Sequence, residues 1–315
     1  MRTYGLLALS IATLAFPGRA LAASDLNLSL TSVQASALSG GKVDVSIEYS
    51  NDGTTSVGDV VVSFNPGALS AVVAADPALA DPSVLSWPIG TLSAGQSGTI
   101  ELEVITGAAP DGALDLQASA TGTGDSANDS LNLPIGPSVD PFVSSASYKV
   151  KKPNKKGPAG SLQFLIPLEL TTDYDGTLPI TITWSNDTQL LAVFDVPGGS
   201  MVRNGKGYRI RYLPNPPPFR GQSSLNITKT AADVHKMRLD GGKMALPVST
   251  SDEVRISIVV GGEAFSAKRT FTSRGKVTPT KQQIRYRGDP EPSPEPTPEP
   301  SPEPSPEPSP EPTPE

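Results

Sequence analysis

The chain has 315 residues, with 33 prolines, 29 glycines, 5% aromatic and 18% charged residues. This composition is typical of a secreted, loop-rich β-protein rather than a cytosolic enzyme. The chain has no cysteine and one histidine, His235, which excludes disulfide bonds, thiolate nucleophiles, Cys-ligated zinc and any site that needs two histidines.

The formal net charge of −7 combines segments of opposite sign. Residues 24–140 contain fourteen acids and a single base, Lys42. Residues 141–288 contain 22 bases and ten acids, and residues 289–315 add eight acids and no base. An asymmetry on this scale bears on association and solubility rather than on fold.

Residues 1–22 are predicted to form a secretory signal peptide. An apolar run extends from Leu6 to Phe16, and Ala20 and Ala22 provide the small residues of a cleavage site. A membrane anchor needs about 20 apolar residues, whereas this run ends before Pro17. We expect a protein exported to the periplasm, cell envelope or extracellular space, without a transmembrane segment, and of bacterial origin because it lacks cysteine.

The acidic region, residues 23–137, alternates apolar and polar side chains with a period of two. Val43 and Val45, for example, flank Asp44. About seven such short segments are separated by turn clusters such as residues 50–53. This pattern predicts an Ig-like antiparallel β-sandwich.

Four motifs follow one another in this region. They are Y-S-N-D-G at residues 49–53, P-G-A-L at 66–69, I-G-T-L-S-A-G-Q-S at 89–97 and N-D-S at 128–130. With them, residues 25–135 resemble the conserved-repeat Ig-like domain of unknown function found in bacterial and archaeal surface proteins. The resemblance implies a spacer or display module with no catalytic residues.

The basic region, residues 161–288, shows the same period. Ile180 and Ile182 alternate with Thr181 and Thr183, which indicates strands with one apolar and one polar face. We therefore predict an all-β chain of two Ig-like antiparallel sandwiches, joined by a linker at residues 138–160 that carries a basic cluster.

Clustered Lys and Arg residues in the second half favour binding of an anionic polymer, because such attraction is electrostatic and depends on salt. An ordinary solvated surface is the alternative, since Lys and Arg are common outward residues of strands. The predicted polyanion-binding residues are Lys151, Lys152, Lys155, Lys156, Arg209 and Arg211.

The expected partner is an anionic envelope polymer or an acidic protein surface. Self-association between the acidic and basic domains is a further prediction. Nucleic acid is not expected, because the aromatic residues fall mostly on the apolar faces rather than where they could stack on bases.

The sequence offers no motif for catalysis or metal binding. His235 is predicted to be an exposed, non-catalytic residue, and residues 173–176 to form a turn rather than a calcium loop. We predict no cofactor, no metal and no enzymatic activity. A pair of glycosidase carboxylates stays open as an alternative, because such groups need only be close in space.

Residues 289–315 repeat Glu-Pro-Ser/Thr-Pro. Proline fixes φ and removes hydrogen-bond donors, so the segment is predicted to be a disordered, extended spacer or acidic arm. The leading functional hypothesis is a non-catalytic secreted or envelope protein for adhesion, display or assembly. The second is a polyanion- or glycan-binding module that acts through the basic domain.

Overall fold

The computed structural model of the protein describes residues 24–79, 81, 84–107, 112–141, 143–154, 158–214, 221–231, 234–275, 277–278 and 281–288. The predicted signal peptide and the predicted Pro/Glu tail lie outside the described residues. Within the described residues, every helix or strand element is a β-strand, which confirms the predicted all-β class. None of the described segments forms a helix long and apolar enough to cross a membrane.

The first domain contains β1 (Leu26–Ser32), β2 (Lys42–Asn51), β3 (Val57–Asn65), β4 (Ser70–Asp76), β5 (Ser86–Leu92), β6 (Ser97–Thr106), β7 (Ala113–Gly122) and β8 (Asp125–Pro134). These strands form two antiparallel sheets with orders β1-β2-β6-β4 and β5-β3-β7-β8. The orders correspond to the A-B-E-D and C-F-G sheets of an immunoglobulin-type sandwich, with β5 added beside the C strand.

The predicted alternation places the core of this domain between the two sheets. Val43, Val45 and Ile47 on β2 are fully buried, while Asp44 and Glu48 on the same strand are exposed. The apolar face of each strand therefore packs inward, as expected for an antiparallel sheet with one solvated face.

Two carboxylates protect the free edge of β1. Asp125 Oδ2 on β8 accepts a hydrogen bond from the Leu26 amide at 2.9 Å, and Asp129 Oδ2 accepts one from the Leu30 amide at 2.8 Å. The Leu26 hydrogen bond is the main cause that lowers the pKa of Asp125 from its usual value. Acids of the first domain thus satisfy backbone donors that an edge strand would otherwise expose.

The second domain contains β9 (Ser145–Val150), β10 (Gly160–Glu169), β11 (Ile180–Ser185), β12 (Leu190–Val196), β13 (Val202–Asn204), β14 (Gly207–Pro214), β15 (Gln222–Lys229), β16 (Val234–Met244), β17 (Glu253–Val260), β18 (Glu263–Thr270), β19 (Thr272–Ser273) and β20 (Gln282–Arg287). An eight-stranded sheet has the order β13-β14-β15-β16-β10-β9-β20-β19, and a four-stranded sheet has the order β12-β11-β17-β18.

The core of the second domain lies between these sheets and centres on Trp184 of β11. The Trp184 ring stacks on Tyr148 at a centroid distance of 6.0 Å and on Phe164 at 6.4 Å, and meets the Phe271 ring edge-on at 5.9 Å. Tyr148 and Phe164 come from the eight-stranded sheet, so this aromatic cluster joins the two layers.

The segment predicted as a linker, residues 138–160, includes strand β9. This strand pairs with β10 on one side and with β20 on the other. Its inward residues Ala146, Tyr148 and Val150 are buried. Residues 145–150 therefore belong to the eight-stranded sheet. The alternation of Ala146, Tyr148 and Val150 with polar residues is the sequence pattern that indicates this strand.

The two domains meet through hydroxyl groups on the outer face of the second domain's four-stranded sheet, β12-β11-β17-β18. Ser39, in the β1–β2 connection, lies 2.9 Å from Ser257 Oγ, which in turn lies 2.9 Å from Ser266 Oγ. The hydroxyl of Thr181 donates to the carbonyl of Gly40. Each of these polar groups is buried, so each hydrogen bond also avoids the cost of an unpaired buried group.

Apolar and main-chain contacts extend this interface. Ile105 of the first domain forms a small buried cluster with Leu190 and Val193 of β12. Val139 pairs in parallel with the edge of β18: its amide donates to Ala264 O at 2.9 Å, and its carbonyl accepts from the Ser266 amide at 2.8 Å. The segment between the domains thus adds a single parallel bridge to the β18 edge of the second domain's four-stranded sheet.

Lys42, the sole base of the acidic region, lies at the edge of this contact. Its ammonium is 2.9 Å from Asp195 of the basic region and 3.1 Å from Glu103. Burial by itself lowers the pKa of Lys42, but the hydrogen bonds to Asp195 and Glu103 outweigh that effect and raise the pKa. In this ion pair the acidic domain contributes the base and the basic domain contributes the acid, which is the opposite of their net charges.

The structure differs from the sequence-based expectation for Thr181 and Thr183. Their alternation with Ile180 and Ile182 predicts a solvated polar face, but both threonines are buried. The reason is the first domain, whose β1–β2 connection covers this face. Small hydroxyl side chains on this face serve close packing between domains rather than hydration.

Replacing Gly40 by alanine should lower the free energy of unfolding by more than the same change at Gly95. Both glycines have positive φ, +81° and +71°, which costs another residue about 1–2 kcal/mol. A Cβ at Gly40 would lie 2.8 Å from Ser257 Cβ, whereas one at Gly95 would meet nothing within 4 Å. Overlap should add about 1–3 kcal/mol at Gly40 alone. Urea unfolding of Gly40→Ala and Gly95→Ala measures the difference, and equal losses would contradict a tight contact at Gly40.

Replacing Asp125 by asparagine should weaken the acid dependence of stability. Because the pKa of Asp125 is lowered in the folded state, its contribution is complete above the unfolded pKa and is lost as the pH falls through the folded pKa. Asparagine keeps an oxygen acceptor for the Leu26 amide but does not titrate. Unfolding followed from neutral to acidic pH tests this, with the exposed Glu48→Gln as the matched control. If the free energy of unfolding became equally less dependent on pH in both variants, the net charge rather than the Asp125 hydrogen bond would be the cause.

Candidate functional site

The outer face of the eight-stranded sheet carries a cationic surface. Its strands alternate between core residues and outward residues, so bases at outward positions of different strands come to share one face. Arg209, Asn226, Arg238, Leu165, Ser145 and Arg287 form one cross-strand row of this face. The bases of this face are Lys149, Arg209, Lys236, Arg238, Arg285 and Arg287.

A depression in this face, here called the arginine trough, crosses β16, β10, β9 and β20. Its volume is about 390 Å³. Three strand spacings of about 4.8 Å separate β16 from β20, so the trough is roughly 14 Å wide. Its floor is formed by Ser145, Ser147, Gln163 and Leu165, and its walls carry Arg238, Asp240, Arg285 and Arg287.

The two walls of the trough differ in charge. On β16, Arg238 donates to both oxygens of Asp240, at 2.8 and 3.3 Å; this contact raises the pKa of Arg238 and offsets its charge. On β20, Arg285 and Arg287 are exposed. No described carboxylate lies within ion-pair distance of either. The β20 wall therefore provides two planar guanidinium groups that can bind an external carboxylate, sulfate or phosphate.

The described sequence-predicted candidates fall into two pairs on different parts of the second domain: Lys151 with Lys152, and Arg209 with Arg211 on β14. Lys151 and Lys152 are exposed just after β9, and Arg211 is exposed on β14. Arg209 lies on the outer face of the sheet, four strand spacings or about 19 Å from β9. Lys155 and Lys156 lie outside the described residues.

The residues that line the trough were not among the predicted site residues. The signal for them was present in the sequence as period-two basic residues, Arg285 and Arg287 on one strand and Lys236 and Arg238 on another. Their juxtaposition depends on the pairing of β20 with β9 and of β16 with β10. The first pairing joins Arg285 to Ser147 and the second joins Arg238 to Leu165, residues far apart in the chain whose pairing sequence spacing alone does not specify.

The prediction that His235 is exposed is wrong. Its side chain is 3% exposed, because β16 directs it inward at the end of the core, and Nε2 lies 3.7 Å from Asp173 Oδ1. Lys229 Nζ donates to the same carboxylate oxygen at 2.6 Å, and this hydrogen bond is the main cause that lowers the pKa of Asp173. Nδ1 of His235 is buried without a hydrogen-bond partner.

Asp175 forms a turn, as the sequence predicts. Its Oδ1 accepts hydrogen bonds from the Thr177 amide at 2.8 Å and from the Thr177 hydroxyl at 2.6 Å. These local bonds are the pattern of an Asx turn. Within the described part of the chain, no group of three or more His, Asp and Glu side chains is placed to hold a metal ion.

No protein-family model matches the chain, and no curated protein matches it either. The resemblance of residues 25–135 to the conserved-repeat Ig-like domain therefore stays a prediction, carried by the four motifs alone.

Replacing His235 by leucine should leave the free energy of unfolding within about 1 kcal/mol of the original protein. The imidazole is buried with an unpartnered nitrogen, and an apolar side chain of similar size avoids that cost. The neighbouring core change Met237→Ala should instead cost about 2–5 kcal/mol, since Met237 is fully buried on the same strand. Denaturant unfolding compares the two. A loss with His235→Leu as large as with Met237→Ala would contradict the account of His235 as a dispensable core residue.

Proposed function

We propose that the chain is a non-catalytic exported protein of the cell envelope or extracellular space that serves adhesion or display by holding an anionic polymer in the arginine trough. The observation that carries the proposal is the β20 wall, where Arg285 and Arg287 stand exposed beside a floor of small and polar side chains. Ser145, Ser147 and Gln163 on that floor can donate hydrogen bonds to ligand oxygens.

The shape of the trough favours an extended ligand. It lies across four strands of the sheet and is lined largely by polar and charged side chains, whereas sites for small molecules are usually mostly apolar. The Arg238–Asp240 pair on the opposite wall offers both a donor and an acceptor to hydroxyl groups. Anionic polysaccharides and other polyanions with hydroxyl groups combine the two chemistries.

The interdomain contact supports the display part of the proposal. Buried hydroxyls, the cluster around Ile105 and the Val139 pairing hold the first domain on the face of the second domain opposite the trough. The first domain then acts as a support that leaves the trough free. The immunoglobulin-type strand order of the first domain also supports our proposal that it belongs with the conserved-repeat Ig-like domains.

Removing both charges of the β20 wall should weaken binding of dextran sulfate at low salt by at least about tenfold, since each charge-assisted hydrogen bond contributes roughly 1.5–3 kcal/mol. The slope of log affinity against log salt should fall by about two, one for each base removed. Binding is measured by titration calorimetry on Arg285→Gln/Arg287→Gln across salt concentrations, with neutral dextran as the ligand control.

The matched control is Arg203→Gln/Lys206→Gln, which removes two exposed charges from the β13–β14 hairpin. This control should change the affinity less than twofold or so, because its residues lie away from the trough. Equal losses of affinity in both double variants would show that overall charge, rather than the trough, determines binding. No loss in either would exclude the trough as the site.

A further inference from the structure

The acidic Pro-rich segment begins beside the arginine trough. Strand β20, whose Arg285 and Arg287 form one wall, is followed directly by Gly288 and then by residues 289–315. The Gly288 amide donates to the Ser144 carbonyl at 3.1 Å. This bond places Gly288, the residue before the segment, next to Ser145 at the end of the trough floor.

The segment and the trough have complementary charges. Residues 289–315 contain eight acids and no base, and from Glu291 onward a glutamate recurs every fourth residue. At about 3.1 Å per residue in the extended conformation that the prolines favour, successive glutamates lie roughly 12 Å apart. That spacing is close to the width of about 14 Å between the trough walls.

The tether makes an intramolecular contact favourable even if each ion pair is weak. A short linker holds its ligand at an effective concentration in the millimolar range. The 27 residues of the segment reach roughly 80 Å when extended, which is several times the width of the trough. Repeated glutamates also offer several equivalent registers, which raises the local concentration of carboxylate at the β20 wall.

We propose that the glutamates of residues 289–315 occupy the arginine trough of their own chain and compete there with any external anionic polymer. The docking itself rests on the described geometry of the trough and on the sequence of the segment. The competition rests on the proposed function. The segment then acts as a built-in competitor that only a polymer of higher charge density, or a rise in salt, displaces.

A nitroxide label tests the docking directly. The chain has no cysteine, so Ser301→Cys provides a single attachment point on the segment in the full-length protein. At low salt, the label should broaden the amide resonances of Ser145 and Ser147 more than those of Ser39, which is buried at the interdomain contact. High salt should remove this broadening.

Variants separate docking from general attraction. Broadening should be lost with Arg285→Gln/Arg287→Gln and kept with Arg203→Gln/Lys206→Gln. Broadening that is absent at low salt, that is unaffected by the β20 change, or that appears only as protein concentration rises would overturn docking within one chain. The last result would indicate a second copy of the chain as the source of the glutamates.

A charge-neutral segment tests the competition. Replacing its seven glutamates by glutamine and Asp289 by asparagine keeps the prolines and the length. This change should tighten dextran sulfate binding at least about twofold at low salt, the factor expected when the effective concentration equals the dissociation constant of the segment. Unchanged affinity together with absent broadening would overturn the docking and leave the proposed function standing. No dextran sulfate binding by either form would overturn the proposed function, and the broadening would still decide the docking.

Discussion

The second domain's four-stranded sheet, β12-β11-β17-β18, is covered on both faces, and the rest of the structure depends on this constraint. One face of β11 contributes Ile182 and Trp184 to the core of the second domain, and the other contributes Thr181 and Thr183 to the interdomain contact. The second domain is thus left with one broad solvated sheet surface, the outer face of the eight-stranded sheet. The outward bases of its strands share that surface because side chains alternate between the two faces of each strand.

The opposite charges of the two domains do not make the contact between them. Neutral hydroxyls and a few apolar residues form its centre. Two ion pairs lie beside it: Lys42 of the acidic domain pairs with Asp195 of the basic one, and Asp140, next to Val139, pairs with Arg269 of β18. Other charged residues of the two domains lie away from this contact. Asp125 and Asp129 close the edge of β1, while Arg285 and Arg287 face solvent. Charge asymmetry between the domains therefore persists on the surface of the folded chain and is available to external partners.

Much of the fold follows from sequence because period-two alternation is a local property. The alternation of Val43, Asp44 and Val45 predicts which side chains face the core, whichever strands pair with this one. Many such strands together predict the all-β sandwich class. What alternation does not give is the environment of the polar face. Thr181 looks solvated until another domain covers it, and His235 looks exposed until β16 is aligned so that its odd-numbered residues face the core. Likewise, Arg238 and Arg287 come to line opposite walls of one trough only through long-range strand pairing.

Anions are expected to bind in the trough rather than at the Lys151–Lys152 segment or the β13–β14 hairpin. Mapping amide chemical shifts of the full-length protein during titration with dextran sulfate tests this most directly. If anions bind in the trough, the largest saturable changes fall on Ser145, Ser147 and Gln163 of the floor and on Arg285 and Arg287 of β20. Changes concentrated on Lys151 and Lys152, or spread evenly over all exposed bases, would contradict it.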